Sequence, residues 1–301
     1  MNDRQLRYVQ VLAQEGSFSR AAEILNISQP SLSQYLKKIE KEIGLDLFER
    51  MNGDVRLTDA GQVYIQMGRQ ILDLQHQMEV AFSDLSAHKI GTLTIGTAPY
   101  RAAGMMPPIA RAFRDLYPGM HLVIREGTTA EIEEEMEHGA YDLAVTLLPL
   151  PSKLFEWERV CEEELILAVP ASYPALEAVR MENRKYPAVL ADALSGRDMV
   201  MLTETQYMQR QLQQFLETHQ VSVKRAVTVK SLEAQIEMVK SGVGLAMVPS
   251  GIEKFVSRQE AVFYSFVPML PRREVVVMWR RGRKLPQTAQ DLVRLICSMK
   301  W

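Results

Sequence analysis

The stretch "SFSRAAEILNISQPSLSQYLKKIE", residues 17–40, constrains the fold of this chain most strongly. It contains two helical patterns of apolar residues, and only the three residues "NIS" separate them. Ser17 and Ser28 are of the type that caps helix N-termini, and Pro30 falls in the first turn of the second pattern, where its missing N–H costs little. So short a connection brings the two predicted helices into direct contact.

The second helix carries a polar face opposite its apolar stripe. Four apolar residues share one side at steps of four, three and four: Leu32, Leu36, Ile39 and Ile43. The opposite side holds Pro30, Gln34, Lys37 and Lys41, with Gln29 and Ser33 flanking it. Amides and hydroxyls bind base edges in the major groove, and lysines neutralise phosphates, so the pattern predicts a helix-turn-helix that reads DNA. A helical bundle with a solvated polar face is the alternative.

A hairpin pattern follows directly. The segment "GLDLFERMNGDVRLTDAG" reads as two short strands, "DLFER" and "VRLT", around the turn "NGD". A hairpin in this position is a wing, and Arg50 and Arg56 are expected to reach phosphates or the minor groove. Residues 1–60 hold eight Lys and Arg against nine Asp and Glu. The field that attracts DNA must therefore come from how these charges are distributed.

A long helix is predicted from Thr58 to about His88, since this segment has no proline. Its apolar residues alternate steps of three and four in a heptad seam: Tyr64, Met67, Ile71, Leu74, Met78, Ala81 and Leu85. A second copy of the helix is the simplest partner for the seam, which predicts a homodimer. Packing of the seam against the next domain of the same chain is the alternative.

The remaining two-thirds of the chain alternate strand and helix patterns. One series begins at "GTLTIGT" and a second at "ELILAVP", which predicts two α/β lobes with parallel sheets and a cleft between them. In such sheets ligands bind beyond the carboxyl ends of strands. Five threonines lie at or just past such ends and are predicted to bind an effector: Thr97, Thr128, Thr129, Thr146 and Thr203. Tyr100 and Arg101 are less favoured candidates, and Arg101 could pair with a carboxylate.

Composition and motif searches exclude several other classes. A hydrophobic content of 47% and a charged content of 24% are typical of a globular protein. The longest apolar run is too short for a membrane helix, and Cys161 and Cys297 stand apart in sequence, which favours a reducing, cytoplasmic location. The chain shows no pattern for nucleophilic catalysis, no metal-ligand spacing and no complete phosphate loop, so no catalytic residue, metal or cofactor is predicted. The basic segment "RREVVVMWRRGRK" is expected to guard a sheet edge.

The N-terminal motifs resemble those of the LysR-type transcriptional regulators. The features that match are "SFS.AA..L..SQP.LS..", "KKIE..IG..LFER" and "LT.AG", within about the first 60 residues. The resemblance implies that Gln29, Pro30 and Ser33 face DNA bases and that Arg50 and Arg56 contact the backbone or minor groove. Gln34 stands where the family often has a basic residue.

The resemblance also implies a domain plan. A winged helix-turn-helix would occupy residues 1–58, a linker and dimerisation helix residues 59–89, and an effector-binding domain residues 90–301. The last would resemble a periplasmic binding protein, with lobe one at about 90–161 and 268–301 and lobe two at about 162–267.

Together these observations predict a sequence-specific transcriptional regulator. Its partners would be double-stranded DNA, a small-molecule effector with an anion as the favoured class, and further copies of itself as a dimer or tetramer. Two alternatives stay open at this point. One is an enzyme with a two-lobed α/β domain and a DNA-binding appendage, and the other is a purely architectural DNA-binding protein.

Overall fold

The computed structural model describes residues 3–51, 54–85, 90–150, 152–182, 184–204 and 206–301. Three helices and a hairpin come first: α1 (Asp3–Glu15), α2 (Phe18–Ile24), α3 (Gln29–Ile43), β1 (Phe48–Met51) and β2 (Asp54–Leu57). The two strands pair antiparallel, so the predicted helix-turn-helix and wing are both present. The tip of the predicted turn, Asn52 and Gly53, lies outside the described residues.

The core of this N-terminal unit is formed by the apolar stripe of α3 together with α1 and α2. Leu32, Leu36 and Ile39 are buried there, as the spacing predicts. The prediction for Ile43 is wrong, because this side chain is 40% exposed in the last turn of α3. Gly44 ends the helix immediately afterwards with a positive φ of 80°, a conformation that suits glycine.

A single long helix, α4 (Asp59–Leu85), follows the wing. Its 27 residues span about 40 Å. The predicted extension to residue 88 lies outside the described residues.

Lobe one begins after this helix. It contains, in chain order, β3 (Gly91–Thr97), α5 (Pro99–Leu116), β4 (Met120–Glu126), α6 (Thr129–Glu137), β5 (Leu143–Leu147) and β6 (Phe155–Glu163). Lobe two then holds β7 (Leu165–Pro170), β8 (Ala188–Leu190), β9 (Asp198–Leu202), α7 (Tyr207–Thr218), β10 (Lys224–Val229), α8 (Leu232–Lys240), β11 (Ala246–Pro249) and β12 (Ala261–Val267). The chain returns to lobe one for β13 (Arg273–Arg280) and α9 (Gln287–Ser298).

The sheets are mixed rather than wholly parallel. Lobe one has five strands in the order β4-β3-β5-β13-β6, of which β3, β4 and β5 run parallel and β13 runs antiparallel to both of its neighbours. In lobe two, β9 and β10 are parallel, as predicted, but β7 pairs antiparallel with β11 and β12. The expectation of a parallel sheet is therefore correct for the first series and only partly correct for the second.

The prediction that the basic segment 272–284 guards a sheet edge is wrong. Strand β13 lies inside the sheet between β5 and β6, and its central residues, Val275 to Met278, are fully buried or nearly so. The charges at its two ends have buried partners instead. Arg273 pairs with Glu163, and Arg283 pairs with Asp142 at 2.7 Å.

Candidate DNA interface and interlobe cavity

The N-terminus of α3 is fixed by its cap. The Ser28 hydroxyl accepts a hydrogen bond from the Ser31 backbone N–H at 3.3 Å, and Pro30 occupies the first turn. Before it, Asn26 adopts a positive φ of 52° in the short turn that joins α2 to α3. Ala21 and Ala22 of α2 are buried, and such small residues allow the helices to approach closely.

The polar face of α3 is open to solvent. Gln29, Pro30, Gln34 and Lys37 are exposed, and Ser33 is half-buried. Pro30, Gln34 and Lys37 lie on the side opposite Leu32, Leu36 and Ile39 of the core, and Gln29 and Ser33 flank that side. This helix can therefore enter a groove without disturbing its own packing.

The wing presents Arg56 to solvent, opposite Glu49 on the paired strand. Arg50 lies in β1 opposite Val55, but its side chain is outside the described set. The structure therefore places the Arg56 side chain at the wing surface and only the backbone of Arg50.

A tight contact joins the base of the wing to the long helix. The Thr58 hydroxyl donates to the Asp46 carbonyl at 2.7 Å and accepts from the Gly61 N–H at 3.0 Å. A Cβ atom at Gly61 would lie 2.2 Å from the Leu47 carbonyl oxygen, and real Cβ atoms do not approach backbone oxygens so closely. Only glycine fits at this position.

The heptad seam of α4 is exposed in the single chain. Ile71 is 49% and Leu74 63% exposed, and Met67 and Met78 are exposed to a similar degree. Tyr64, at the start of the seam, packs instead against the N-terminal core. Ala81 and Leu85 have side chains outside the described set. Four consecutive seam residues therefore lack cover from the described part of their own chain.

Thr97 and Thr146 lie at their predicted strand ends, but their side chains are buried in lobe one. Thr97 is 0% exposed, and its hydroxyl donates to the Val145 carbonyl at 3.2 Å. The Thr146 hydroxyl is also buried and has no hydrogen-bond partner among the described residues. Neither hydroxyl is at the surface in this conformation.

Thr128 caps α6, while Thr129 and Thr203 are half-buried. Hydrogen bonds from the Thr128 backbone and hydroxyl lower the pKa of Glu131, and the charge of Lys230 lowers it further. Lys230 directly follows β10 of lobe two, whereas Glu131 is in the first turn of α6 in lobe one.

Of the seven predicted effector residues, only Tyr100 and Arg101 line the cavity between the lobes. This cavity measures 350 Å³ and lies between the start of α5 and the short 3-10 helix Ser250–Phe255. The residues around it come from both lobes: Tyr100, Arg101, Gly104, Met105, Cys161, Glu162, Glu163, Glu164, Lys185, Tyr186, Ser250, Gly251, Glu253, Lys254, Phe255, Arg272, Val275 and Trp301.

A buried ionic cluster stands beside the cavity. The Tyr100 hydroxyl donates to Glu163 Oε1 at 2.6 Å, Arg101 pairs with Glu163 Oε2 at 3.0 Å, and Arg273 pairs with the same oxygen. Burial acts to raise the pKa of Glu163, but the charges of the two arginines hold it below its usual value. Burial also raises the pKa of Tyr100, so its hydroxyl keeps the proton that it donates. Glu163 and Arg273 are not among the residues predicted from the sequence.

Comparison with known proteins decides the family. A family model for the "LysR substrate binding domain" matches residues 86–298, and a model for a "Bacterial regulatory helix-turn-helix protein, lysR family" matches residues 4–62. The chain belongs to the LysR family. This LysR-family protein is therefore a DNA-binding transcriptional regulator whose operator binding is modulated by a small-molecule effector. The alternative of an enzyme with a DNA-binding appendage finds no support among its relatives.

Similar proteins match most of the length of this LysR-family chain. The uncharacterized HTH-type transcriptional regulator YcgK of Bacillus subtilis (strain 168) is 27% identical over 309 residues, covering 98% of this chain and 94% of that protein. A probable RuBisCO transcriptional regulator of Thalassiosira pseudonana is 31% identical over 260 residues, covering 83% of this chain and 82% of the relative.

Solved structures extend the similarity to the whole architecture. A full-length OxyR variant from Pseudomonas aeruginosa has a TM-score of 0.64 at 25% identity, and the match covers 99% of this chain and 96% of that one. Full-length CbnR complexed with its target DNA also has a TM-score of 0.64, at 20% identity, over 98% of this chain and 99% of that one. The CbnR likeness shows the fold alone. Within the described ranges, no helix is both long enough and apolar enough to cross a membrane.

Proposed function

We propose that this protein reads its operator with the exposed polar face of α3. Gln29, Pro30 and Ser33 contact bases, because they lie at the N-terminal end of the helix, which enters the groove most deeply in helix-turn-helix proteins. Gln34 lies beside them and adds an uncharged contact. Lys37, Arg50 and Arg56 contact phosphates or the minor groove. The observation that carries this proposal is the solvent exposure of the polar face while the opposite stripe is buried.

The protein binds DNA as a dimer, or as a tetramer built from such dimers. The support is the exposed seam of α4, whose four apolar side chains would be buried by an equivalent helix. Two copies place two recognition helices on two half-sites and double the number of phosphate contacts available to one chain.

The protein acts by binding rather than by catalysis, and it acts in the cytoplasm. Its relatives are transcriptional regulators, and such proteins bind chromosomal DNA. Both cysteines, Cys161 and Cys297, are free thiols, which agrees with a reducing compartment.

The effector is a small anion bound between the strand-end loops of the two lobes. The support is the position of Thr128, Thr129 and Thr203 just past strand ends of the two lobes, together with the effect of the Lys230 charge, which lowers the pKa of Glu131. Hydroxyls and free helix N–H groups favour anions, and Lys230 adds a positive charge. Thr97 and Thr146 would join this site only if their buried side chains became accessible on lobe movement.

In vitro selection of genomic fragments by the purified protein tests these proposals together. We expect enriched fragments to share a two-fold symmetric motif with half-sites about one helical turn apart. Footprints on that motif are then compared with and without a panel of anionic metabolites. The panel should include the substrates and products of any enzymes that are encoded beside the motif. Enrichment without any shared motif would contradict sequence-specific reading by α3.

A further inference from the structure

The basic segment at the end of β13 lies on a surface that the proposed function does not use. Strand β13 ends at Arg280, and the residues "RGRKLP" then lead to α9. A second loop, residues 148–154, connects β5 to β6. Together, residues 148–154 and 280–286 hold five basic residues and no acidic one: Lys153, Arg280, Arg281, Arg283 and Lys284.

The two loops are in direct contact. The Arg281 backbone N–H donates to the Leu154 carbonyl at 2.7 Å, which continues the pairing of β6 with β13 by one residue. Lys153 precedes Leu154 and therefore lies beside the turn that follows Arg281. Gly282 makes this turn with a positive φ of 77°, a conformation that suits glycine. Lys153 and Arg281 are thus on adjacent segments, and Lys284 follows the turn.

A buried ion pair anchors the turn to lobe one. The Arg283 guanidinium pairs with Asp142 at 2.7 Å, and the two side chains are 7% and 2% exposed. The other Asp142 carboxylate oxygen accepts from the Thr94 backbone N–H of β3 at 2.8 Å. The turn therefore lies at the end of the sheet where the chain arrives from α4. The strand-end threonines are at the opposite end, because β3 and β5 both run away from this edge.

Three side chains of this surface are available to a partner. Lys153, Arg281 and Lys284 are exposed, and none of them has an ion-pair partner among the residues that the structure describes. We call these three side chains the basic patch. Glu156, three residues after Lys153, accepts from the Trp279 indole N–H at 3.1 Å and keeps its charge. Three positive charges therefore stand against one negative charge.

The carboxylates of α6 do not balance the patch, although α6 ends at the same edge of the sheet. Burial and the charge of Glu137 raise the pKa of Glu133 to about 7. A lysine or arginine close to Glu133 would lower that pKa instead. The basic patch and the acidic side of α6 are therefore separate surfaces.

The patch suits an extended polyanion rather than a small molecule. Its side chains stand on exposed loops, and none of them lines the cavity between the lobes. The chain as a whole has a net charge of −2, and residues 1–60 hold eight Lys and Arg against nine Asp and Glu. The N-terminal unit therefore contributes little net attraction for DNA, whereas duplex DNA presents a continuous row of phosphates to any exposed cluster of cations.

We propose that the basic patch binds the phosphate backbone of the duplex that flanks the operator. This second DNA contact is independent of sequence and comes from the effector-binding domain. Helix α4 spans about 40 Å between the wing and lobe one, which corresponds to about 12 base pairs of duplex at 3.4 Å each. The contact therefore requires DNA that extends beyond the half-sites read by α3.

Gel shifts on two duplexes test this contact. The short duplex ends about 3 base pairs outside the selected operator motif, and the long duplex extends about 25 base pairs beyond it on each side, more than two helical turns. The triple variant Lys153→Gln, Arg281→Gln and Lys284→Gln removes the patch and keeps the anchoring pair of Arg283 with Asp142.

We expect the triple variant to lose at least about tenfold in affinity for the long duplex at low salt. Each lost phosphate contact reduces the slope of log affinity against log salt concentration by about 0.9, so the slope should fall by about 2.7 for each chain. Affinity for the short duplex should stay within about twofold of wild type, because that duplex offers no flanking phosphates. Retained binding of the short duplex also shows that the variant is folded.

A charge-matched control separates a local contact from a general loss of positive charge. The triple variant Arg180→Gln, Arg258→Gln and Lys300→Gln removes the same charge from exposed positions outside the two loops. It should bind both duplexes as the wild-type protein does. An equal loss of long-duplex affinity in this control would overturn the proposal.

Unchanged binding of the long duplex by the patch variant would also overturn the proposal. If that variant instead changed its sedimentation, the patch would be a contact between copies of the chain and not a DNA contact. If no operator motif is selected, reading by α3 fails, and the same comparison on random-sequence duplexes of the two lengths still tests the patch. The two proposals can therefore fail separately.

Discussion

Lysine at two seam positions of α4 should separate the proposed dimer into monomers. Ile71 and Leu74 are roughly half exposed in the single chain, so burying the remainder against a partner helix stabilises the dimer by about 1 kcal/mol for each side chain. Ile71→Lys with Leu74→Lys removes four such contributions from a dimer, about 4 kcal/mol in total, and places four ammonium groups in one interface. Dimerisation should weaken by about a thousandfold or more.

Sedimentation velocity over a concentration series measures this change directly. The matched control is Gln62→Lys with Gln66→Lys, which adds the same charge to exposed positions of α4 away from the seam, and this control should remain dimeric. Circular dichroism should show equal helix content in both proteins. A doubly substituted seam that still sediments as a dimer would show that another surface holds the copies together.

Three further predictions concern the DNA interface, the effector and the thiols. Gln29→Ala should cost about 1–3 kcal/mol of binding free energy on the best operator and relax the base preference at one or two positions. Lys37→Ala should weaken binding to all sequences alike and reduce the slope of log affinity against log salt concentration by about one. Competition gel shifts at several salt concentrations separate the two effects, and an equal loss of affinity of Gln29→Ala for all sequences would refute base reading by Gln29. Thr203→Val should abolish the change that the effector causes in the footprint and leave binding without effector near wild type; a normal response would move the effector site elsewhere. Burial raises the pKa of Cys297 to about 11 and raises that of Cys161, so both thiols are protonated at neutral pH, and hydrogen peroxide should leave operator binding unchanged in gel shifts.

Local patterns were sufficient to predict the N-terminal unit because its signals are local in sequence. The cap at Ser28 and the buried residues Leu32 and Leu36 lie within nine positions of one another, and each agrees with the same helix. The exposure of Ile43 was missed because periodicity shows which side of a helix is apolar and does not show where the neighbouring helices end.

The interlobe cavity could not be predicted in the same way. Arg101 and Glu163 are 62 residues apart, and Arg273 is a further 110 residues along the chain. No spacing rule connects such positions, because only the double crossing between lobes brings them together. The alternation of strands and helices does not predict β6 or β12, because each of these strands pairs antiparallel with a strand that is distant in the sequence.

The threonine pattern shows a third limit. Thr97 does lie at the carboxyl end of β3, as predicted, but its exposure depends on the neighbouring strand. The Val145 carbonyl of β5 accepts a hydrogen bond from the Thr97 hydroxyl, and Val145 is 48 residues away in the sequence. A strand end can be located from alternation, whereas the availability of a side chain there is a property of the sheet.

The contact between Gly61 and the Leu47 carbonyl has a mechanical consequence. Because there is no room for a side chain at that point, the base of the wing and the first turn of α4 are in direct backbone contact. The helix beyond it acts as a lever about 40 Å long, so a tilt of about 6° at that contact corresponds to a displacement of about 4 Å at its far end. A change in the direction of α4 would therefore turn the wing and the recognition helix together with it, because the wing is packed directly against the start of that helix.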